Sequence, residues 1–250
     1  KLTANFSLGY DHYDYQNDES VEEAAAARLS FAINQWFGKV DFSYKLDNNH
    51  TLNFGLMSQF YNINSGTYEP LHESSLVKWD QLQKDKALES AIYIGDQWEI
   101  TPKLSVNAGI RYSMFNLLGP RTYYTYQDGM LPSSTTVVDS VSVGGGKVVK
   151  TYQGPEFRLS ARYAFNDDFS VKAGFNTMRQ YIHKVSNTTI MSPTDTWKLS
   201  DTNIKPQNGW QLAAGAYYNT PGQVLELSVE GYYKKLNDYL DYRSSARLIM

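Results

Sequence analysis

The sequence predicts an all-β fold, an antiparallel up-and-down transmembrane β-barrel segment of about nine to ten strands. Three observations predict this class. Apolar and polar residues alternate with a period of two, as they do in strands with two unlike faces. Short and long connections follow each other in strict order, as at the two ends of an outer-membrane barrel. The 20 tyrosines, 11 phenylalanines and 5 tryptophans favour both strands and membrane–water boundaries.

The composition excludes several classes of function. A formal net charge of -3 over 250 residues argues against a nucleic-acid binder, which needs a basic face. The absence of cysteine excludes disulfides and thiolate metal sites, and the four histidines lack the spacing of a zinc motif, so no metal or cofactor is expected. Gly144-Gly145-Gly146-Lys147 lacks the spacing of a phosphate-binding loop, and no Gly-x-Ser-x-Gly elbow occurs. We therefore expect no enzymatic activity.

The clearest strand runs from Leu104 to Met114, where even-numbered residues are apolar and odd-numbered residues are mostly polar. The segment from Ala27 to Leu46 is less regular, because its apolar residues change from odd to even positions. This change predicts a β-bulge or a bend near Gln35–Lys39. Asp96 interrupts an otherwise apolar row between Ala91 and Ile100. The remaining alternating segments are Leu2–Tyr10, Leu52–Phe60, Phe157–Phe165, Phe169–Phe175, Trp210–Tyr218 and Leu225–Val229.

The connections between these strands fall into two length classes. Turn-forming residues mark the short ones, which are Asp47–His50, Thr101–Lys103, Asn166–Asp168 and Asn219–Gly222. The long ones are Gln16–Ala26, Ser65–Leu88, Leu117–Pro155 and Ile182–Gln207. We expect short helices at Ala24–Arg28, behind a capping box, and at Ser75–Lys86. Within the longest connection, Val141–Val149 predicts a hairpin around its three glycines.

The apolar face is predicted to meet lipid and the polar face a wet lumen. Full charges stand in mid-strand on the polar face, at Arg111, Arg158, Arg162, Lys172, Glu226 and Glu230. Aromatic residues crowd the strand ends beside the short turns, at Phe42, Tyr44, Trp98, Phe165, Phe169 and Tyr218, where they would form an interfacial girdle. Two alternatives stay open at this point, a smaller closed porin-like or adhesin-like barrel without energy coupling and a soluble β-sandwich binding module.

One stretch resembles a known family. The residues GFNTMRQYIHKVSNTTIMSPTDTWKLSDTNIKPQNGWQLAAGAYY, followed by LELSVEGYYKKLNDYLDYR, are similar to the barrel of TonB-dependent receptors, especially those of Bacteroides-like bacteria. AIYIGDQWEITPKLSVNAGIRYSMF and HTLNFG resemble two further stretches of that barrel. The resemblance covers roughly half of the chain.

The resemblance implies a Gram-negative outer-membrane transporter with a barrel of about 22 strands, of which residues 1–250 form a part. It also implies a plug domain and final strands outside this chain. The expected partners are outer-membrane lipid, the protein's own plug domain, the TonB–ExbB–ExbD complex and a surface-exposed lipoprotein. Ferric siderophores, cobalamin, glycans and peptides are all compatible with the residues as substrates.

Eight residues are candidates for contact with the substrate. Arg179, Tyr181, His183 and Trp197 lie in or beside the connection Ile182–Gln207 and would face the external vestibule. The structural interpretation of Arg179 and Tyr181 is that they continue the outward parity of Phe175 and end the strand at the headgroup level. Four further candidates are Arg111 and Arg158, which would attract an anionic substrate or form a salt-bridged wall, and Tyr124 and Tyr126, which would stack on ligand rings or form an ordinary hairpin.

Overall fold

The computed structural model describes residues 1–130, 133–185, 196–220, 222 and 224–240. Its main sheet joins nine long antiparallel strands in chain order, which confirms the predicted number of strands. A two-residue strand, β4 (Asp80–Gln81), pairs with the end of the third long strand. The nine are β1 (Leu2–Glu19), β2 (Ala27–Lys45), β3 (His50–Pro70), β5 (Asp85–Thr101), β6 (Leu104–Leu118), β9 (Val148–Ala164), β10 (Phe169–Gln180), β13 (Gln207–Asn219) and β14 (Glu226–Asn237).

Two small hairpins stand apart from the main sheet. The first pairs β7 (Arg121–Tyr126) with β8 (Val137–Val143) inside the connection between β6 and β9. The second pairs β11 (Ile182–Val185) with β12 (Thr196–Leu199) inside the connection between β10 and β13. Because neighbouring strands are antiparallel, all four short turns lie at one end of the sheet and the hairpins at the other. The hairpin end is called the external end below.

The two faces of the sheet differ as the alternation predicts. Ile92, Ile94 and Leu212 are 66%, 51% and 53% exposed on one face. On the other face the side chains of Glu89, Arg111 and Glu156 meet. Within the described residues no second layer covers the apolar face, so the β-sandwich alternative is excluded. Strands β1 and β14 do not pair with each other, so the sheet is an open segment of a barrel.

Aromatic residues border the apolar face in two rows. One row lies near the short turns and includes Tyr44, Trp98, Phe165 and Tyr218 of the predicted girdle. The other lies toward the external end and was not predicted. Together the two rows enclose a band of aliphatic side chains, as in barrels whose band spans the hydrocarbon of the bilayer. The second row comprises Tyr10, Trp36, Tyr112, Phe157 and Trp210.

The predicted bulge near Gln35–Lys39 is wrong. Strand β2 pairs with β1 in one unbroken register, and its register with β3 shifts only between Ser30 and Ala32. Alternation therefore continues through the segment. What changes is the chemistry of the inward face, which becomes apolar toward the external end at Phe31 and Ile33.

The two predicted helices are absent. Residues Glu23–Ala25 form a single 3-10 turn with no side-chain cap. The segment Ser75–Lys86 contains only the short β4 and the first residues of β5. It forms no helix because residues distant in sequence accept its hydrogen bonds: the backbone N–H of Leu76 donates to the carbonyl of Ala24 over 2.8 Å, and that of Leu82 to the carbonyl of Gly66 over 3.0 Å. Among the described residues no helix is both long enough and apolar enough to span a membrane.

The predicted hairpin at Val141–Val149 has a different partner. Strand β8 pairs with β7, whereas Val148 begins β9 and pairs with β6. The glycines instead lie at the base of the β7–β8 hairpin, where the chain that enters the hairpin is hydrogen-bonded to the chain that leaves it. The N–H of Gly119 donates to Lys147 over 2.9 Å, and that of Gly146 donates back to Gly119 over 3.0 Å. A Cβ on Gly119 would lie 2.3 Å from the carbonyl oxygen of Gly144, so only glycine fits there.

Asp96, which interrupts the apolar row, has a partner on the same face. Its Oδ2 lies 2.7 Å from Nδ1 of His50. The His50 ring in turn stacks on Trp98, with centroids 5.2 Å apart. The carboxylate is thereby paired within the aromatic row beside the short turns, where headgroups and water reach the surface.

Candidate functional site

The site begins where β10 leaves the sheet. The ladder between β9 and β10 ends at the pair Arg158–Asn176. Beyond it, side chains bridge the gap between the two strands: the N–H of Phe157 donates to Oγ1 of Thr177 over 2.8 Å, and Nη1 of Arg179 donates to the carbonyl of Gln153 over 2.9 Å. Arg179 therefore fixes the end of β10 to β9, just before the connection Ile182–Gln207 begins.

From this point the chain turns into the lumen and forms the docked hairpin, which comprises β11 and β12. Tyr181 is only 3% exposed. Its ring stacks on Phe115 with centroids 4.8 Å apart and 8° between the planes, and its hydroxyl lies 2.9 Å from Oγ of Ser113. The expectation that Tyr181 continues the outward parity of Phe175 is wrong, because the alternation ends with β10 and the next residue points inward.

An apolar patch on the inner wall receives the hairpin. It consists of Tyr61 and Ile63 on β3, Ala87 on β5, and Phe115 and Leu117 on β6, and it is called the wall cluster. Leu199 of β12 is fully buried against it together with Tyr181. Aliphatic and aromatic side chains on a lumen-facing surface need such a cover, since otherwise they would face water. The docked hairpin and the wall cluster thus bury each other.

Four charged residues fasten the same hairpin, and they are called the ionic tie. The guanidinium of Arg121, at the start of β7, donates to the carboxylate of Asp85 and, from Nη2 over 2.6 Å, to Asp201. Nζ of Lys198 lies 3.9 Å from Oδ2 of Asp85. The Asp85 side chain is completely buried, and those of Arg121 and Asp201 are 9% exposed. The two positive and two negative charges of the tie therefore balance each other in a site that is almost inaccessible to solvent.

Further hydrogen bonds satisfy the carboxylates of the tie. Oδ2 of Asp85 accepts from the N–H of Leu199 over 3.2 Å, and Oδ1 of Asp201 accepts from the N–H groups of Asn203 and Ile204, each over 2.8 Å. The hydroxyl of Tyr152, on β9, donates to the carbonyl of Asp201 over 2.7 Å. Buried charges are tolerated only with such pairing and hydrogen bonding.

His183 and Trp197, two of the candidate residues, lie on the docked hairpin. The side chain of Trp197 is half-buried on β12, opposite Lys184. His183 is 3% exposed, and its Nε2 lies 2.8 Å from Oγ of Ser200. Burial lowers the pKa of His183 below its ordinary value, although the charge of Asp201 opposes the shift. The imidazole is accordingly neutral in the docked hairpin.

We expect acid to loosen the docked hairpin through His183. Because its pKa is lower when docked than when free, the neutral form contributes its full stability above the ordinary value of about 6.5. That contribution is lost as the pH falls from there toward the lowered pKa. Hydrogen exchange of the amides of residues 197–201, corrected for intrinsic rates, should therefore lose protection between pH 7.5 and pH 5.5. His183→Gln, which keeps a hydrogen-bonding group but cannot titrate, should remove this pH dependence; an unchanged dependence would contradict the assignment.

Arg111 and Arg158 both lie on the inner wall, as predicted. Nη2 of Arg111 lies 3.1 Å from Oε1 of Glu89, and its Nε lies 3.8 Å from Oε1 of Glu156. The hydroxyl of Tyr61 donates to Glu89 over 3.0 Å, which links this ion cluster to the wall cluster above it. Arg158 is exposed two residues below Glu156 along β9. Arg111 is thus part of a salt-bridged wall, and Arg158 faces the open lumen.

Tyr124 and Tyr126 lie on β7, outside the lumen wall. Tyr124 is 41% exposed opposite Ser140, and Tyr126 is half-buried opposite Val137. The structure does not bring them to the docked hairpin. The residue of β7 that contacts this part of the chain is Arg121, which binds Asp201 and lies three residues before Tyr124 in the same strand.

The sequence pattern did not single out the three central residues of the tie, Asp85, Arg121 and Asp201. Each lies within a predicted connection, where a charged residue ordinarily faces water. Phe115 and Leu117 could have been found, because they continue the inward parity of Arg111 with apolar residues. Among the described residues no cluster of three or more histidine, aspartate or glutamate side chains could hold a metal ion.

Fold, faces and site together define a segment of an outer-membrane β-barrel. The family model described as TonB dependent receptor-like, beta-barrel, matches residues 59–248. The chain therefore belongs to the TonB-dependent receptor β-barrel family, whose members are outer-membrane transporters of Gram-negative bacteria and not enzymes. No protein of curated function matches the sequence.

Solved structures share the fold. The copper transporter OprC superposes with a TM-score of 0.64 at 13% identity over 93% of this chain and 36% of its own. The iron transporter FrpB of Neisseria meningitidis gives 0.57 at 12% identity, over 94% and 34%. The ferric yersiniabactin receptor FyuA of Yersinia pestis gives 0.56 at 12% identity, over 94% and 33%. The chain thus spans about a third of the length of these proteins.

Proposed function

We propose that the whole protein is a TonB-dependent receptor for active uptake of a scarce nutrient, in which this segment supplies part of the barrel wall and of the external recognition surface. A plug domain in the remainder of the protein would close the lumen, and the TonB–ExbB–ExbD complex would drive its opening. A surface-exposed lipoprotein would be a further partner at the external end.

The observation that supports this proposal most is the docked hairpin. A connection folded into the mouth of a barrel narrows a pore, and it also presents a rigidly placed surface, which capture of a ligand at the entrance needs. Buried ion pairs and hydrogen bonds fix this hairpin in one position, which favours the second role. Of the candidates on the inner wall and the docked hairpin, Arg158 is exposed and Trp197 is half-buried, so both keep accessible surface.

The test is energy-dependent uptake by the full-length protein. A strain lacking the gene would be complemented with it and grown on a panel of sole sources: ferric siderophores and copper chelates first, because proteins of this fold are named for iron and copper, then cobalamin, oligosaccharides and oligopeptides. We expect growth on at least one source that is lost when TonB is removed. Uptake that persists without TonB would favour the porin-like alternative and overturn the proposal.

A further inference from the structure

The ionic tie joins three connections that are far apart in sequence. Asp85 begins β5 at the end of the second long connection, Arg121 opens the β7–β8 hairpin in the third, and Asp201 follows the docked hairpin in the fourth. One guanidinium therefore holds together segments separated by 36 and 80 residues. No other side chain among the described residues is hydrogen-bonded to carboxylates from two of these connections.

A second contact fixes the second and third long connections relative to each other. The N–H of Thr122 donates to Oε1 of Gln83 over 2.9 Å, and Nε2 of Gln83 donates back to the carbonyl of Thr122 over 3.1 Å. Gln83 lies two residues before Asp85, and Thr122 directly follows Arg121. The two links are parallel, so the β7–β8 hairpin is fixed in both position and direction relative to the barrel wall.

We propose that Arg121 is a positioning residue for ligand capture: it holds the three external connections in the one arrangement that forms the recognition surface. This inference rests on the proposed function. A buried ion pair adds little net stability compared with apolar residues of the same size, so stability alone does not account for it. A planar guanidinium, by contrast, fixes two carboxylates at a defined distance and angle. The tie therefore fixes the relative positions of the three connections.

The proposal makes a specific statement about substitutions. Arg121→Met leaves two buried carboxylates facing one lysine, Lys198, so the connections should separate and the docked hairpin should lift from the wall cluster. Arg121→Lys keeps the charge but can reach only one carboxylate at a time, and its effect should be intermediate. Arg162→Met removes a cation from the lumen wall near the short turns and serves as the matched control.

The first measurement reports the position of the hairpin in full-length receptor in outer membranes. Ser113→Cys places a thiol beneath Tyr181, where the native side chain is fully buried. Its labelling by a water-soluble maleimide should rise about tenfold or more in the Arg121→Met background, less with Arg121→Lys, and stay unchanged with Arg162→Met. Ser134→Cys, on an exposed loop, should label alike in all backgrounds. Equal labelling of Ser113→Cys with arginine or methionine at position 121 would overturn the proposal.

The second measurement separates positioning from general damage. With the panel nutrient that supports TonB-dependent growth, Arg121→Met should raise the half-saturation concentration of uptake about fivefold or more and leave the maximal rate per receptor within about twofold. Should Arg121→Met fail to assemble, Asp201→Asn, which removes one arm of the tie, takes its place. Raised labelling with unchanged half-saturation would overturn the positioning role. Absence of TonB-dependent uptake in the wild type would refute the proposed function, while the labelling would still test the tie.

Discussion

Ile94→Arg should destabilise the barrel by about 2–4 kcal/mol, the cost of an arginine on the lipid face near the bilayer midplane. Ile94 is 51% exposed between Phe54 and Ile110, on the face without a protein cover. The guanidinium would have to reach an aqueous boundary from the middle of the aliphatic band, and the neighbouring aliphatic side chains offer it no hydrogen bond. The measurement is the free energy of unfolding in urea for the full-length protein in phospholipid vesicles.

Gln97→Arg is the matched control for this prediction. Gln97 lies on the same strand three residues away, on the polar face, between Thr51 and Asn107. An arginine there meets water and polar side chains, so the change in unfolding free energy should stay within about 0.5 kcal/mol. If both substitutions cost the same, the assignment of the lipid face is wrong. If only Gln97→Arg is costly, the two faces are reversed.

Phe115→Ala should release the docked hairpin while leaving the barrel assembled. The Phe115 ring is fully buried under Tyr181, and truncating a buried phenylalanine costs about 3–5 kcal/mol when the cavity cannot collapse. The strand ladders of β6 with β5 and β9 do not depend on this ring, so the wall should persist. The cost therefore falls on the contact between the hairpin and the wall cluster.

Hydrogen exchange gives a direct measurement of this release. The amides of residues 197–201 should lose protection by two orders of magnitude or more in Phe115→Ala, since each ~1.4 kcal/mol of docking free energy corresponds to a factor of ten. Met114→Ala, the adjacent residue with its side chain 38% exposed on the lipid face, should leave those amides unchanged. Loss of protection throughout β6 in Phe115→Ala would instead mean that the ring stabilises the barrel itself.

The sequence predicts the membrane-embedded half of this segment better than the external half. Where one face meets lipid and the other the lumen, each strand has to alternate, and Leu104–Met114 shows its orientation without ambiguity. Toward the external end both faces carry apolar groups, as Phe31 and Ile33 do on the inner side. Period two then no longer distinguishes outward from inward, and the sequence predicts a bulge or bend near Gln35–Lys39 that the strand does not contain.

The candidate site was predictable in its parts but not in its arrangement. The sequence predicts Arg179, Tyr181 and His183 as site residues, and Tyr181 and His183 are buried at and within the docked hairpin. The burial of Tyr181 depends on contacts with residues more than 60 positions away, such as Phe115. Arg121 became important only because the fold places it between Asp85 and Asp201. Local pattern contains no information on such distant pairings.

The length of the strands determines how far the external end of the sheet stands from the membrane. Strand β3 has 21 residues. At ~3.3 Å per residue and a tilt of ~40°, a strand of that length rises roughly 50 Å, about twice the height of a ~25 Å apolar band. Tyr61 lies one residue beyond Phe60, which pairs with Trp36 of the external aromatic row. The wall cluster therefore begins at the external edge of the apolar band, and the ionic tie lies at the same end of the strands, outside the hydrocarbon. A molecule that approaches from outside would therefore touch the projecting ends of the strands before it reached the bilayer surface.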